Sequence, residues 1–118
     1  MESKSLALAK KLLNKNVLVV IDRPLGSKHP KHGFVYEANY GYIGGIKAPD
    51  GEELDAYYLG VDKPLDKAKG IVIAIIHRLK DDDDKLVVAP EDKIDLTDKE
   101  IEKSVHFQKQ WFKSEIIR

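Results

Sequence analysis

The sequence contains no cysteine, no excess of charge of either sign and no long apolar run. The absence of cysteine excludes disulfides, thiolate metal sites and a cysteine nucleophile, and it is compatible with a reducing compartment. Twenty Lys and Arg residues balance twenty Asp and Glu residues, so nothing indicates a general attraction to nucleic acid or to an anionic membrane. The apolar runs are too short to span a bilayer, and the N-terminal segment lacks the pattern of a signal peptide. We therefore expect a cytoplasmic protein without nucleic-acid or membrane partners.

The 118 residues are enough for one domain, 1–118, with a single hydrophobic core. Leucines at helical spacing predict an amphipathic helix over residues 3–15, and a capping box at Thr97 and Glu100 predicts a second helix near the C-terminus. Between them lie segments with strand character, at residues 17–21, 34–43, 54–61, 71–79 and 86–90. This order predicts a mainly β (α+β) fold, namely a small, closed, five-stranded, antiparallel OB-like barrel with an N-terminal and a C-terminal helix.

Two acidic clusters lie at the ends of predicted strands. The first comprises Asp50, Glu52, Glu53 and Asp55, and the second is the run of aspartates at residues 81–84, in the connection of a predicted hairpin. If the clusters face each other, their mutual repulsion requires cations, and ligand sets made only of oxygen suit Mg²⁺ or Mn²⁺. The ordinary alternative is that residues 81–84 form a solvated turn, which the spacing alone does not exclude.

Basic and phenolic groups supply the complementary charge. They are Lys28, His29, Lys31 and His32 in the loop after the first strand, Lys85 after the second acidic cluster, Lys113 near the predicted end of the last helix, and the tyrosines Tyr36 and Tyr40. Such groups beside bound cations suit a phosphate-rich anion. Each also has an ordinary interpretation, because surface lysines are usually solvated and tyrosines usually pack in a core or at its rim. His77, within an aliphatic strand, is interpreted as structural.

Two motifs resemble the soluble inorganic pyrophosphatases of the metal-dependent, barrel-fold type. Residues 36–43 read YEANYGYI, similar to that family's Tyr-x-x-Asn-Tyr-Gly-Tyr-Ile segment, and residues 50–55 read DGEELD, similar to its Asp-Gly-Asp-x-hydrophobic-Asp signature. VLVVIDRP, PLDKAKGIVI, DDKLVVAP and QWFK extend the likeness in the family's order over residues 17–113. The resemblance implies Mg²⁺-dependent hydrolysis of pyrophosphate by a metal-activated water, with Mn²⁺ as the other possible ion.

The resemblance also implies roles for particular residues. It assigns metal binding to Asp22, Asp50, Asp55, Asp81 and either Asp83 or Asp84, with Asp55 as the bridge between two metals. It places Glu52 beside the attacking water, so that Glu52 and Asp55 are the expected catalytic residues. It assigns substrate binding to Lys31, Tyr40, Lys85 and Lys113.

The sequence departs from the family pattern in its substrate-binding half. Glu52 is one methylene longer than the family's aspartate, Gly33 replaces a glutamate, and Phe112 replaces a tyrosine. The hairpin that carries a phosphate-binding arginine in the family is missing between Gly33 and Phe34. Two alternatives to pyrophosphate hydrolysis therefore stay open: hydrolysis of another phosphoanhydride, such as a nucleotide, in a more open pocket, and binding of metal and pyrophosphate without catalysis. We expect a homo-oligomer, and its arrangement is open because the leading helix lies outside the family pattern.

Overall fold

The computed structural model describes residues 4–47, 51–79, 84–109 and 113–118. Helix α1 (Lys4–Leu12) is followed by the strands β1 (Asn16–Arg23), β2 (Asn39–Lys47), β3 (Glu53–Tyr58), β4 (Lys67–Arg78) and β5 (Asp84–Ala89). A one-turn 3-10 helix (Glu91–Lys93) then leads to helix α2 (Asp98–Lys109) and strand β6 (Ser114–Ile117). Neither helix within these ranges has the length and apolar character needed to cross a membrane.

Five strands form a closed barrel in the order β1-β2-β3-β5-β4, with β1 paired to β4. The predicted five-stranded barrel with a helix before and after it is confirmed. The prediction that the barrel is antiparallel throughout is wrong at one junction, because β3 and β5 are parallel, with Asp55 opposite Lys85. An odd number of strands in a closed ring cannot alternate direction all the way round, so one parallel pair is required. Strand β6 pairs with the end of β4 outside the ring.

The main core fills the barrel because alternate residues of each strand point into the ring, where apolar side chains pack together. Strand β1 buries Val17, Val19 and Ile21 and turns the residues between them outward. These side chains pack with inward residues of the other barrel strands, among them Ile43, Ala56, Ile75 and Leu86. Helix α1 adds Leu6 and Ala9 to this cluster. The barrel interior is therefore packed with side chains, and ligands can reach only its outer surface.

A second core lies outside the barrel wall, against α2. Ile101, Val105 and Phe107 of the helix pack on Tyr57 of β3 and Val87 of β5. The predicted capping box is confirmed: the Glu100 amide donates to Thr97 Oγ1, and the Thr97 amide donates to Glu100 Oε1, each at 3.1 Å. The helix thereby supports the wall that carries the predicted site residues.

The predicted strand over residues 34–43 is wrong in its first half. Strand β2 begins only at Asn39, and before it Val35 forms an isolated bridge with Lys28. Tyr36 is buried and stacks on Tyr40, with ring centroids 5.7 Å apart. The aromatic spacing in this segment therefore reflects packing against the outer core and does not mark a β-ladder. Strand β6 has no counterpart in the prediction.

Candidate active site

Three predicted site residues meet on the outer face of the barrel. The Lys85 ammonium donates to the Tyr40 hydroxyl at 2.8 Å and lies 3.2 Å from a carboxylate oxygen of Asp55. The parallel register of β3 and β5 sets Asp55 opposite Lys85. The antiparallel register of β2 and β3 sets Tyr40 opposite Tyr57, two residues beyond Asp55 on the same face. Three adjacent strands thus contribute one side chain each to a single cluster.

The cluster combines a buried cation with a reachable anion. The Lys85 side chain is 11% exposed, whereas that of Asp55 is 40% exposed. A largely buried ammonium requires a nearby counter-charge, which Asp55 supplies. The Lys85 ammonium also polarises Tyr40, because a donor to a phenolic oxygen strengthens that phenol's own O–H as a donor. The face therefore offers donors for an anion beside a carboxylate that solvent ions can reach.

Two further tyrosines on this face stay neutral. Burial raises the pKa of Tyr57 well above its usual value of 10.0, and the opposing charge of Lys85 does not cancel this effect. Burial likewise raises the pKa of Tyr36, against the opposing influence of Arg23. The Tyr57 hydroxyl donates to Oε1 of Gln108, so this phenol ties the wall to α2. Both phenols therefore keep their protons at neutral pH.

A cavity of about 760 Å³ opens beside Lys85. Arg78 and Gln108 line it together with His29, His32 and Phe34 from the loop before β2. Arg78 lies two residues beyond Ile76, which pairs with Lys85, so alternation along β4 places Arg78 and Lys85 on the same face.

Arg78 and Gln108 were not predicted as site residues. Arg78 could have been found from the alternation of a strand, because it lies two residues after Ile76 on β4 and therefore shares the face of that outer-core residue. Nothing in the sequence distinguishes Gln108 from the other polar residues of α2.

Asp84 does not join the cluster. It is 6% exposed, its carboxylate accepts a hydrogen bond from the Ser5 hydroxyl at 2.8 Å, and it contacts His77 Nδ1 at 2.5 Å. Successive residues of a strand point to opposite faces, so Lys85 faces the site and Asp84 faces α1. The second metal-binding pair was predicted to be Asp81 with either Asp83 or Asp84. Because Asp84 and Asp55 lie on different faces of the wall, we retain Asp83 as the proposed partner of Asp81.

Four other predicted residues lie at the surface: Asp22, Lys31, Glu52 and Lys113. Lys113 lies outside α2, which corrects its predicted position on the last helix, and its carbonyl accepts a hydrogen bond from the Leu79 amide at 2.9 Å. Lys31 belongs to the loop that contributes to the cavity wall, where its amide donates to His29 Nδ1. Asp50, Asp81, Asp83 and Phe112 lie outside the described residues.

The described residues do not by themselves form a ligand set for a metal ion. Within the four described ranges, no three His, Asp or Glu side chains are grouped closely enough to hold an ion. Asp55 fits such a role, because its carboxylate is partly exposed and hard cations prefer oxygen ligands. Asp84 does not fit, because Ser5 and His77 engage both of its oxygens. The Mg²⁺ site stays a prediction that depends on Asp55 and on aspartates outside the described ranges.

The fold of this chain is shared with inorganic pyrophosphatases of known structure. The structure is similar to inorganic pyrophosphatase from Ehrlichia chaffeensis, with a TM-score of 0.66 and 18% identity over 87% of this chain and 85% of that chain. It is also similar to inorganic pyrophosphatase from Helicobacter pylori, with a TM-score of 0.64 and 22% identity over 87% of this chain and 84% of that chain. For inorganic pyrophosphatase from Thermus thermophilus the TM-score is 0.56 and the identity is 20%, over 87% of this chain and 80% of that chain.

No family model matches the sequence, and no curated protein matches it at a significant level. The similarity to solved structures therefore establishes the fold and supports the resemblance seen in the two motifs. A shared fold does not establish an activity, which depends on the residues of the site.

Proposed function

We propose that this protein hydrolyses inorganic pyrophosphate to two phosphates in a Mg²⁺-dependent reaction. The observation that carries the proposal is the contact of Lys85 with Tyr40 and Asp55 on the outer face of a pyrophosphatase-type barrel. A buried ammonium and a polarised phenol recognise phosphate oxygens, and an adjacent carboxylate suits the cation that accompanies them. The cluster thus contains the donor and acceptor types that a metal–pyrophosphate complex requires.

Lys85 and Tyr40 are the proposed substrate ligands at the centre of the site. Charge-assisted hydrogen bonds from an ammonium are stronger than neutral ones, and they stabilise the charge that develops on a departing phosphate. Lys31 and Lys113 are exposed and are proposed as outer phosphate contacts.

The carboxylates are proposed to bind the metal and to accept the proton of the attacking water. Asp55 would bind Mg²⁺, or Mn²⁺, together with Asp50, Asp81 and Asp83, with Asp22 at the edge of the site. A bound ion of this kind supplies Lewis acidity and lowers the pKa of a coordinated water. Glu52 is proposed to accept the proton of the attacking water. The water oxygen bonds to one phosphorus, the bond from that phosphorus to the bridging oxygen breaks, and its electron pair leaves with the second phosphate.

Phosphate release from pyrophosphate over a Mg²⁺ titration tests the proposal. Asp55→Asn keeps the side chain's size and removes its charge, so we expect activity to be lost while the circular dichroism spectrum is retained. Asp62→Asn, which changes an exposed loop carboxylate, is the matched control and should behave as the unmodified protein. A folded and fully active Asp55→Asn protein would overturn the proposal. Metal and pyrophosphate binding without any release from the unmodified protein would replace it with the non-catalytic alternative.

A further inference from the structure

The cavity beside Lys85 is larger and more aromatic than a pyrophosphate site requires. Its volume of about 760 Å³ falls within the range of pockets that enclose drug-sized ligands. Lys85 and Arg78 provide positive charge on the wall, whereas His32 and Phe34 provide flat rings. An inorganic diphosphate has no ring to stack, so the rings of His29, His32 and Phe34 have no role in the proposed reaction.

The rings of this wall are close together and nearly parallel. The centroids of His29 and Phe34 lie 4.9 Å apart with planes at 28°, and the planes of His32 and Phe34 differ by 10°. Burial and the neighbouring basic side chains of His32, Arg23 and Lys31 lower the pKa of His29 below 6.5. The Nδ1 atom of His29 also accepts hydrogen bonds from two backbone amides, so its ring is neutral at pH 7. A flat, largely neutral aromatic wall favours stacking with the ring of a ligand.

The loop that carries these rings is braced by its own backbone. The His29 amide donates to the Phe34 carbonyl at 2.8 Å, and the Gly33 amide donates to the His29 carbonyl at 3.1 Å. Gly33 has a φ of 73°, a conformation that favours glycine, and no atom lies within 4 Å of the position that a Cβ would occupy. The wall is therefore formed before any ligand binds, and the missing side chain at position 33 leaves space in front of it.

We propose that the site accepts nucleoside di- and triphosphates, with the base stacked on Phe34 and His32 and the phosphates held by Lys85 and Arg78. This inference rests on the proposed function, which takes the Lys85 end of the cavity as the phosphate end. In the hydrolysis of a nucleoside triphosphate, the oxygen of water bonds to the terminal phosphorus and the bond from that phosphorus to its bridging oxygen breaks. The electron pair of the broken bond stays on the nucleoside diphosphate, and the proton of the water passes to solvent.

Two ligands that cannot be hydrolysed separate the contribution of the base from that of the phosphates. Methylenediphosphonate has no ring, whereas adenosine 5′-(α,β-methylene)diphosphate carries the same phosphonate linkage on a nucleoside. Calorimetric titration in the presence of Mg²⁺ should show binding of the nucleoside analogue that is tighter by about tenfold or more, the effect of stacking one base. Phe34→Leu and His32→Ala should each reduce the affinity for the nucleoside analogue about tenfold, and reduce that for methylenediphosphonate much less. Val35→Ala, at an exposed position next to the wall, is the control and should change neither affinity.

Equal affinities of the unmodified protein for the two ligands would overturn the inference. It would also be overturned if Phe34→Leu and His32→Ala reduced the affinities for the two ligands by the same factor. His32 is exposed, so His32→Ala keeps the test valid if Phe34→Leu does not fold. Phosphate release from pyrophosphate by the same preparations tests the proposed function separately. Ring-dependent binding without any release would overturn the hydrolytic proposal and leave the nucleotide site standing. Phosphate release without ring-dependent binding would support the proposed hydrolysis and overturn the nucleotide site.

Discussion

Asp84 and Lys85 are consecutive residues of β5, and their side chains lie on opposite sides of the barrel wall. Lys85 contacts Tyr40 and Asp55 on the outer face, whereas Asp84 contacts Ser5 and His77. The proposed activity therefore depends on Lys85, whereas Asp84 contributes to the attachment of α1 to the barrel. Substitutions at the two positions should give opposite patterns of activity and stability.

Lys85→Met retains the aliphatic stem of the side chain and removes the ammonium. We expect kcat/KM for pyrophosphate to fall by about a hundredfold or more, the usual effect of removing a donor to developing negative charge. Tyr40→Phe removes only the hydroxyl that accepts from Lys85, and we expect a smaller loss of about tenfold. Steady-state phosphate release measures both effects. A Lys85→Met protein as active as the unmodified one would exclude Lys85 from the site.

Asp84→Ala should reduce stability without changing the metal dependence of the folded protein. The Asp84 side chain is 1% exposed, and removing it deletes both the hydrogen bond from the Ser5 hydroxyl and the contact with His77 Nδ1. We expect the free energy of unfolding in urea to fall by about 3 kcal/mol. The Mg²⁺ concentration that gives half-maximal activity should stay unchanged. A variant of normal stability with weakened Mg²⁺ dependence would return Asp84 to the metal ligands.

Asn39, the asparagine of the YEANYGYI motif, is completely buried and joins three segments of the chain. Its Oδ1 accepts from the amides of Leu25 at 3.0 Å and Leu65 at 3.1 Å, and its Nδ2 donates to the carbonyl of Lys63 at 2.9 Å. Asn39→Ala leaves these backbone groups without the side-chain partner, and we expect a loss of about 3 kcal/mol or more. Asn16→Ala, at an exposed position of β1, should change stability by less than about 0.5 kcal/mol. Similar unfolding midpoints for the two variants would contradict the structural role of Asn39.

The capping box of α2 gives the stability of the protein a specific acid dependence. Hydrogen bonds from the backbone and side chain of Thr97 lower the pKa of Glu100 below its usual 4.5. Because the pKa is lower in the folded state, the stabilisation is complete above 4.5 and is lost as the pH falls through the folded value. Glu100→Gln keeps a capping side chain and removes the titration. Urea unfolding measured above and below this pH range tests the effect. The loss of stability on acidification should be smaller in Glu100→Gln than in the unmodified protein. An identical loss in the two proteins would contradict this role of Glu100.

Local pattern predicted the elements that carry a run of β-branched residues or a capping signal. Strand β4 is rich in isoleucine and valine, and the capping box marks the start of α2, so both were found. The segment before Asn39 was misassigned because its aromatic residues pack on the outer core, and local spacing does not distinguish such packing from a strand. Strand β6 has only four residues, which is too few for a distinct pattern to mark it.

The site was predicted in its residue types and only partly in its geometry. The resemblance brought Tyr40, Asp55 and Lys85 together as expected site residues, and the structure places them in contact. The orientation of Asp84 was not predictable, because four identical aspartates conceal which of them faces outward, and strand parity is set by pairing with β4. The cavity wall at Phe34 depends on how the loop before β2 folds beside the strands, which no local motif encodes.

The parallel junction between β3 and β5 has a consequence for folding. Asp55 and Lys85 are 30 positions apart, and they meet only when β5 pairs with β3 after the chain has passed through β4. Contacts between distant parts of a chain form late and slowly, because loop closure must precede them. The β2–β3 and β4–β5 pairs cannot present the ammonium beside the carboxylate on their own, because Asp55 lies on β3 and Lys85 lies on β5. During refolding, recovery of ligand binding should therefore coincide with the pairing of β3 and β5 and lag behind the formation of the antiparallel pairs.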